Sequence, residues 1–440
     1  MNWKRFSCLI IFGLVISCTS LRKSSTQSPL LTQTWNEKNN RSFKLVTFGI
    51  PAFNETLINY KRGGAALFSI RLTKPRVIVV ADKPQKWGYY QFPTITRLKD
   101  GTLHAEWSMH ADAIESYGTN AVGSSLSGDA GNTWKAGIPD SSVLNGYTLP
   151  NGDIIKVVDP KPIKISELNM PPPVGKTNFK YRKTNFTFYR LKEMPEERNG
   201  VFLTRLKSGT GKWKQERASL DDPMGVRYSS RDLVPVVWWG DLHTMPDQSV
   251  LAGVYPGFYL KEDGVLDKQM GVVFYRSTDN GHSWKIQSRI SFTPDTSLDS
   301  MYADRIGFSE PAYEILADGS LLCVIRSADG DGVTNGVGNG PLYASRSVDM
   351  GLTWTKPRVI APAGVLPRLL LLKNGVTVLA SGRPGVQLRF MQGDAKAAWT
   401  DPLEMLPYES QSLQEQYAVS CGYTGLVATG PDRFIIIYSD

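Results

Sequence analysis

The chain of 440 residues has only four cysteines and four histidines, and it lacks any Cys-x-x-Cys pair or mixed Cys/His spacing. That argues against a disulfide framework and against a structural zinc site. It also lacks an apolar run of the ~20 residues that a membrane-spanning helix needs. Beyond its N-terminal stretch it has no sustained 3.6-residue apolar period, so an all-β chain is expected. The net charge is +9, yet no dense basic run and no RNA-binding signature accompanies it, which speaks against nucleic acid.

What is there begins with MNWKRFSCLIIFGLVISC. Lys4 and Arg5 precede an apolar run that ends at Ile16, followed by Ser17 and Cys18, the order of a secretory signal over residues 1–17. Val15, Ile16, Ser17 and Cys18 resemble a bacterial lipobox. That resemblance implies cleavage before Cys18, lipid on Cys18 and a membrane-anchored place in the bacterial cell envelope. Residues 18–40, rich in Ser, Thr, Asn and Gln, then read as a flexible tether. Loss of Lys4 and Arg5 lowers the charge from +9 to +7. A surplus of that sign on an exported chain points to an acidic glycan. Cys323 and Cys421, which remain after Cys8 and Cys18, lie in strand-like contexts.

One octapeptide occurs three times: SGDAGNTW from Ser127 to Trp134, STDNGHSW from Ser277 to Trp284, and SVDMGLTW from Ser347 to Trp354. Its physical reading is a tight turn between antiparallel strands. The Asp carboxylate accepts backbone N–H groups, the Gly takes a positive φ, and the Trp plugs a neighbouring unit. Asp129, Asp279 and Asp349 are therefore read as structural. A second signal is the recurrence of short turns between apolar strands, at Asp100, Asn151, Asp247, Asp318, Asn374 and Asp432; four of them carry Asp-Gly or Asn-Gly, the strongest local hairpin cue. The octapeptide resembles the Asp-box of the sialidase superfamily and other β-propellers. With the six hairpins it implies one six-bladed β-propeller of four-stranded antiparallel blades over residues 41–440. The N-terminal strands ALFSIRL and RVIVVAD are expected to complete the last blade. The stretch 160–231, with three prolines at Pro171 to Pro173, reads as a second blade carrying a long basic insertion.

Three further stretches resemble sialidases. In SEPAYEILADGSLLCVIRS, Glu310 matches the family's general-base Glu and Arg326 the second Arg of its carboxylate-binding triad. Arg383, in LASGRPG, takes a place like that of the third Arg, and Tyr423, in CGYTGLVATG, resembles the nucleophilic Tyr. These types suit the chemistry. A Tyr activated by Glu avoids the repulsion that a carboxylate nucleophile meets at an acidic sugar, and Arg binds a carboxylate through a planar fork. Asp112 is the residue carried over as acid/base. The first Arg is missing: in YYQFPTITRLKDG, Gln91 stands in its slot. The resemblance thus implies an exo-glycosidase acting on a terminal acidic sugar, working as a monomer without cofactor or metal.

Gln91 also opens a second reading, a polysaccharide lyase on uronate-containing chains, in which His110 or His243 with a Tyr removes the proton α to an Arg-neutralised carboxylate. A third is a glycan-binding propeller without turnover. His104, His110 and His243 are expected to bring two imidazoles into one pocket. The loop ADGDGVTNG, Ala328 to Gly336, departs from EF-hand spacing and reads as a loop without a cation.

Overall fold

The computed structural model describes residues 7–17, 56–62, 65–81, 87–119, 121–138, 146–179, 184–328, 340–383, 385–393, 398–406 and 421–439. The tether, Cys18 and residues 329–336 of the ADGDGVTNG loop lie outside them. Among the described residues the chain is all-β, with 3-10 turns and no α-helix.

The strands form successive antiparallel sheets. Sheet I holds Tyr89–Arg97, Leu103–Met109, Val122–Ser127 and Lys135–Ala136; sheet II holds Tyr147–Thr148, Ile154–Val157, Val201–Leu206 and Trp213–Asp221. Sheet III holds Trp239–Thr244, Val250–Gly257, Gly271–Ser277 and Ser283–Ile290, and its last strand pairs in parallel with that of sheet II. Sheet IV holds Gly307–Ile315, Leu321–Ala328, Leu342–Ser347 and Arg358–Ala361; sheet V holds Val365–Leu371, Val376–Gly382, Val386–Gln392 and Leu403–Leu406. Sheet VI holds Thr424–Gly430 and Arg433–Tyr438. The N-terminal strands do join it, but through Ser7–Ser17, which pairs with Arg433–Tyr438 on one side and with Ala65–Leu72 on the other. Arg76–Val80 also pairs with Ser7–Ser17.

The six turn signals all close the hairpin between a sheet's first two strands. At five of them the reason is visible. The Oδ1 of Asp100, Asn151, Asp247, Asp318 or Asn374 accepts the N–H two residues on, at 2.9, 3.0, 3.1, 3.0 and 3.1 Å. The side chain thereby stands in for a backbone turn bond. Where Gly is replaced by Gln248, that residue itself takes φ 67. The three boxes close the turns between third and fourth strands of sheets I, III and IV. Asp129 accepts from Ser127 Oγ at 2.8 Å, Thr133 N at 2.8 Å and Thr133 Oγ1 at 2.6 Å, and Asp279 and Asp349 repeat the pattern. Hydrogen bonds from the Thr at the turn's end, above all, lower the pKa of Asp129 and Asp349 to about 2. Both oxygens are engaged within the turn, and these carboxylates are staples.

Alternation of apolar residues along the strands puts a core between most of the neighbouring sheets. Trp284, Trp238, Val250 and Val273 meet Ile155 and Leu203 between sheets III and II; Phe308, Tyr313 and Leu321 meet Leu251 and Phe274 between IV and III. Leu322 and Val324 meet Leu379 and Met391 between IV and V, and Val378 and Phe390 meet Phe434 and Ile436 between V and VI. Ile435 and Ile437 of sheet VI share a core with Ile95 and Leu103 of sheet I, so the last sheet packs on the first. The stretch 160–231 is built rather than loose: Gly175–Phe179, Thr184–Arg190 and Val226–Ser229 form a small sheet around Phe188 and Phe258. Cys323 and Cys421 are buried and free.

One buried group works against the fold at neutral pH. Glu404 is 3% exposed and, among the described residues, neither carboxylate oxygen has a hydrogen-bond partner; burial pushes its pKa from 4.5 up to about 7. A raised acid favours the fold at low pH and loses that contribution as pH rises from about 4.5 through 7. Glu404→Gln is therefore expected to stabilise the protein by about 2 kcal/mol at pH 8 and to change nothing at pH 4, as read by denaturant titration at the two pH values.

Candidate active site

The first strands of sheets I, IV and V share a local device. Pro93, Pro311 and Pro367 each stand seven residues before the turn residue Asp100, Asp318 or Asn374. The residue ahead of each proline, Phe92, Glu310 or Leu366, has a left-handed φ of 54, 47 or 38, and the strand pairing shifts register there. Such backbone is costly for a non-glycine residue and clusters where a side chain must be aimed. Here it aims three residues at one place.

Glu310, 5% exposed, is the hub. Its Oε1 accepts from Tyr423 Oη at 2.5 Å and from Arg326 Nη1 at 2.7 Å, and its Oε2 accepts from Leu366 N at 2.7 Å. Burial alone raises a carboxyl pKa, but the charge of Arg326, the Tyr423 hydroxyl, the Leu366 N–H and the charge of Arg383 together outweigh it, and Glu310 is held below its ordinary value of 4.5. Tyr423 moves the other way: burial first, and the negative charge of Glu310 second, push its pKa above the ordinary 10.0. The phenol thus keeps its proton and hands it toward Glu310. Arg383, in the turn after Val376–Gly382, donates Nε to Cys421 O at 2.8 Å. Its guanidinium lies 5.3 Å from the ring of Tyr423 and 5.3 Å from that of Trp87. The structure therefore brings together Tyr423, Glu310, Arg326 and Arg383, residues separated by up to 113 positions.

Gln91 is turned elsewhere: its Oε1 accepts the N–H of Gly88 at 2.9 Å. Phe92 is the residue that reaches the site, edge-on to Tyr423 at 4.9 Å. Trp87 stands against Phe92 at 5.8 Å and donates its indole N–H to Asp112 Oδ2 at 3.0 Å. So Asp112 joins the group through Trp87. Each histidine has its own partners. His243 Nδ1 is 3.7 Å from Glu314 Oε1 and its ring is 4.5 Å from Tyr313; His110 Nδ1 is 3.0 Å from Ala111 O; His104 is buried beside Glu106. None of these contacts involves Tyr423 or Glu310.

Sequence reasoning missed an aromatic wall on the side of sheet III. Tyr255 lies close enough to Glu310 that burial first, and then the negative charge of Glu310, raise its pKa. Trp239 is edge-on to Tyr255 at 5.6 Å and to Tyr117 at 5.2 Å, and its indole N–H is held by Asp159 Oδ2 at 2.5 Å. Burial raises the pKa of Asp159 to about 6. A signal was present: Trp239 precedes Asp247 by the same eight residues that separate Phe92, Glu310 and Leu366 from their turns. Asp159 and Trp87 had no such mark.

No protein-family model matches the chain, and no curated protein does. Solved structures similar to it include a protein of unknown function from Dyadobacter fermentans, 15% identical over 80% of this chain and 94% of that one, with a TM-score of 0.46. The K499G mutant of NanB sialidase from Streptococcus pneumoniae is 13% identical over 86% and 72%, with a TM-score of 0.43. The Hadza microbial sialidase Hz136 is 13% identical over 99% of this chain and 89% of that one, also with a TM-score of 0.43.

Proposed function

We propose that the protein is an exo-glycosidase, a six-bladed β-propeller that releases a terminal acidic sugar of the sialic acid type. The observation that carries this reading is the short hydrogen bond from Tyr423 to a Glu310 carboxylate that two arginines flank. In the resting site Arg326 is paired with Glu310, which keeps Glu310 a weak base. A substrate carboxylate that draws Arg326 and Arg383 to itself removes that restraint, and Glu310 becomes basic enough to take the phenol proton as Tyr423 attacks. The new bond joins Tyr423 Oη to the anomeric carbon. The glycosidic oxygen leaves with a proton from Asp112; water then attacks the anomeric carbon, giving its proton to the ionised Asp112, as the bond to Tyr423 Oη breaks and Glu310 returns the phenol proton. Two arginines in place of three, with Phe92 and Trp87 filling the remaining wall, favour a sugar that meets an apolar surface there.

The lyase reading has less support, because His110 and His243 are engaged away from the Tyr423–Glu310 pair. Incubation with a panel of sialosides and uronate polysaccharides is expected to give free acidic monosaccharide and no unsaturated ends. Unsaturated ends would overturn the hydrolase reading, and silence on both substrate classes would favour a binding protein. The pinned ring of Trp239 is the stacking surface for the sugar next to the one released. Trp239→Ala is expected to raise KM about tenfold for glycosides of a disaccharide, while leaving the methyl glycoside unchanged.

A further inference from the structure

The three boxes share a turn but not a surface. Their variable positions are Gly128, Ala130 and Asn132 in the first, Thr278, Asn280 and His282 in the second, and Val348, Met350 and Leu352 in the third. Only the third box fills all three with large apolar side chains, and these are 79%, 38% and 53% exposed. The turn that carries them is rigid. Met350 O accepts from Gln287 Nε2 at 2.8 Å, Gly351 O accepts from Ser288 Oγ at 2.5 Å, and Trp354 stacks on Phe274 at 4.4 Å. Exposed Lys356 and Arg358 follow within the same turn and strand. An apolar tip with a basic flank, held stiffly into solvent, is the kind of feature that marks an interaction site.

Its position is set by the topology. Gly307–Ile315 starts beside Glu310 and runs to the turn at Asp318, the next strand returns, and Leu342–Ser347 runs back to the Asp318 end, where Arg346 pairs with Asp318. The third box therefore lies at the end of sheet IV opposite Glu310. Three side chains are too few for a lasting protein interface, which buries about 800 Å² on each partner. They suit the headgroup region of an anionic bilayer, where shallow apolar insertion and lysine or arginine contacts add. The net positive charge of the chain acts in the same direction.

We propose that the turn Val348 to Leu352 inserts into the surface of an anionic membrane. It would hold the Glu310 end facing away from the bilayer, toward glycans in solution. This does not depend on the reaction catalysed. The test uses the full chain with Cys8 and Cys18 changed to alanine, so that lipidation contributes nothing, and with an environment-sensitive dye on Leu352→Cys or, as control, on Thr278→Cys of the second box. Cys323 and Cys421 are buried and stay unlabelled. With phosphatidylglycerol vesicles the dye at 352 is expected to shift to the blue and the dye at 278 to stay unchanged. Val348→Ser, Met350→Ser and Leu352→Ser together are expected to lower vesicle partitioning roughly tenfold or more. No shift at 352, an equal shift at 278, or a shift that grows with protein concentration in the absence of vesicles would each overturn the proposal; the last would mark a contact between copies of the chain.

Discussion

Tyr423→Phe is expected to reduce turnover at least about a thousandfold while leaving the fold intact. The phenol oxygen is the proposed nucleophile, and Phe keeps the ring that Phe92 and Arg383 contact. Among the described residues, the hydrogen bond lost is the one to Glu310 Oε1, which retains Arg326. Substrate binding through the two arginines is left in place, so the loss falls on kcat and not on KM. The pH profile adds a second readout in the unmodified enzyme. Glu310 must be ionised to receive the proton, and its pKa lies below 4.5. The acid limb of kcat/KM that reports Glu310 is therefore expected below the ordinary carboxylate range. Melting temperature unchanged with activity lost would separate a chemical role from a structural one; activity retained in Tyr423→Phe would remove the nucleophile from the account.

The largest effect on stability is expected at Arg205, far from this chemistry. Its side chain is fully buried. Nε donates to Glu216 Oε2 at 2.7 Å, while Nη1 donates to Asp153 Oδ2 at 3.3 Å and to Asn280 O at 2.9 Å. Asp153 in turn accepts the N–H of Ser208 at 3.0 Å. The guanidinium thus ties sheet II to the second box of sheet III, beside the buried Trp284. Arg205→Met leaves two carboxylates and a carbonyl without their common donor, and breaking a buried pair in this way costs about 3 to 5 kcal/mol. Against a total stability on the order of 5 to 15 kcal/mol, that is a large fraction. Arg217, paired with a Glu196 whose side chain is 78% exposed, is the comparison: Arg217→Met is expected to change stability by less than about 1 kcal/mol. Denaturant titration of the two variants side by side makes the contrast. Equal effects would contradict the burial argument.

The hairpins were legible because their chemistry is local. An Asp or Asn that bonds the N–H two residues on needs nothing from the rest of the chain, so Asp100, Asn151, Asp247, Asp318 and Asn374 announce their turns wherever they stand. The box turns are local for the same reason. Glu310, Arg326, Arg383 and Tyr423 were reached by resemblance, and the structure does bring them into one group. What stayed hidden depends on contacts across the sheets. Nothing near Trp87 in sequence says that its indole will be fixed by Asp112 and its face laid over Arg383, and nothing near Asp159 says that it will hold Trp239, 80 residues on. The N-terminal strands were expected to complete the last sheet by themselves. They do so through Ser7–Ser17, because an apolar run carries no mark that tells a leader from a strand.

The proposed reaction passes through a covalent bond between Tyr423 Oη and the sugar. It is tested most directly by treating the protein with a 2,3-difluorinated sialic acid, which reacts at the anomeric carbon but is released slowly, and reading the mass of the peptide that contains Tyr423. This peptide is expected to gain the mass of one glycosyl group, and the gain is expected to disappear in Tyr423→Phe. A protein that releases acidic sugar from natural glycosides yet carries the label on another residue, or on none, would contradict it.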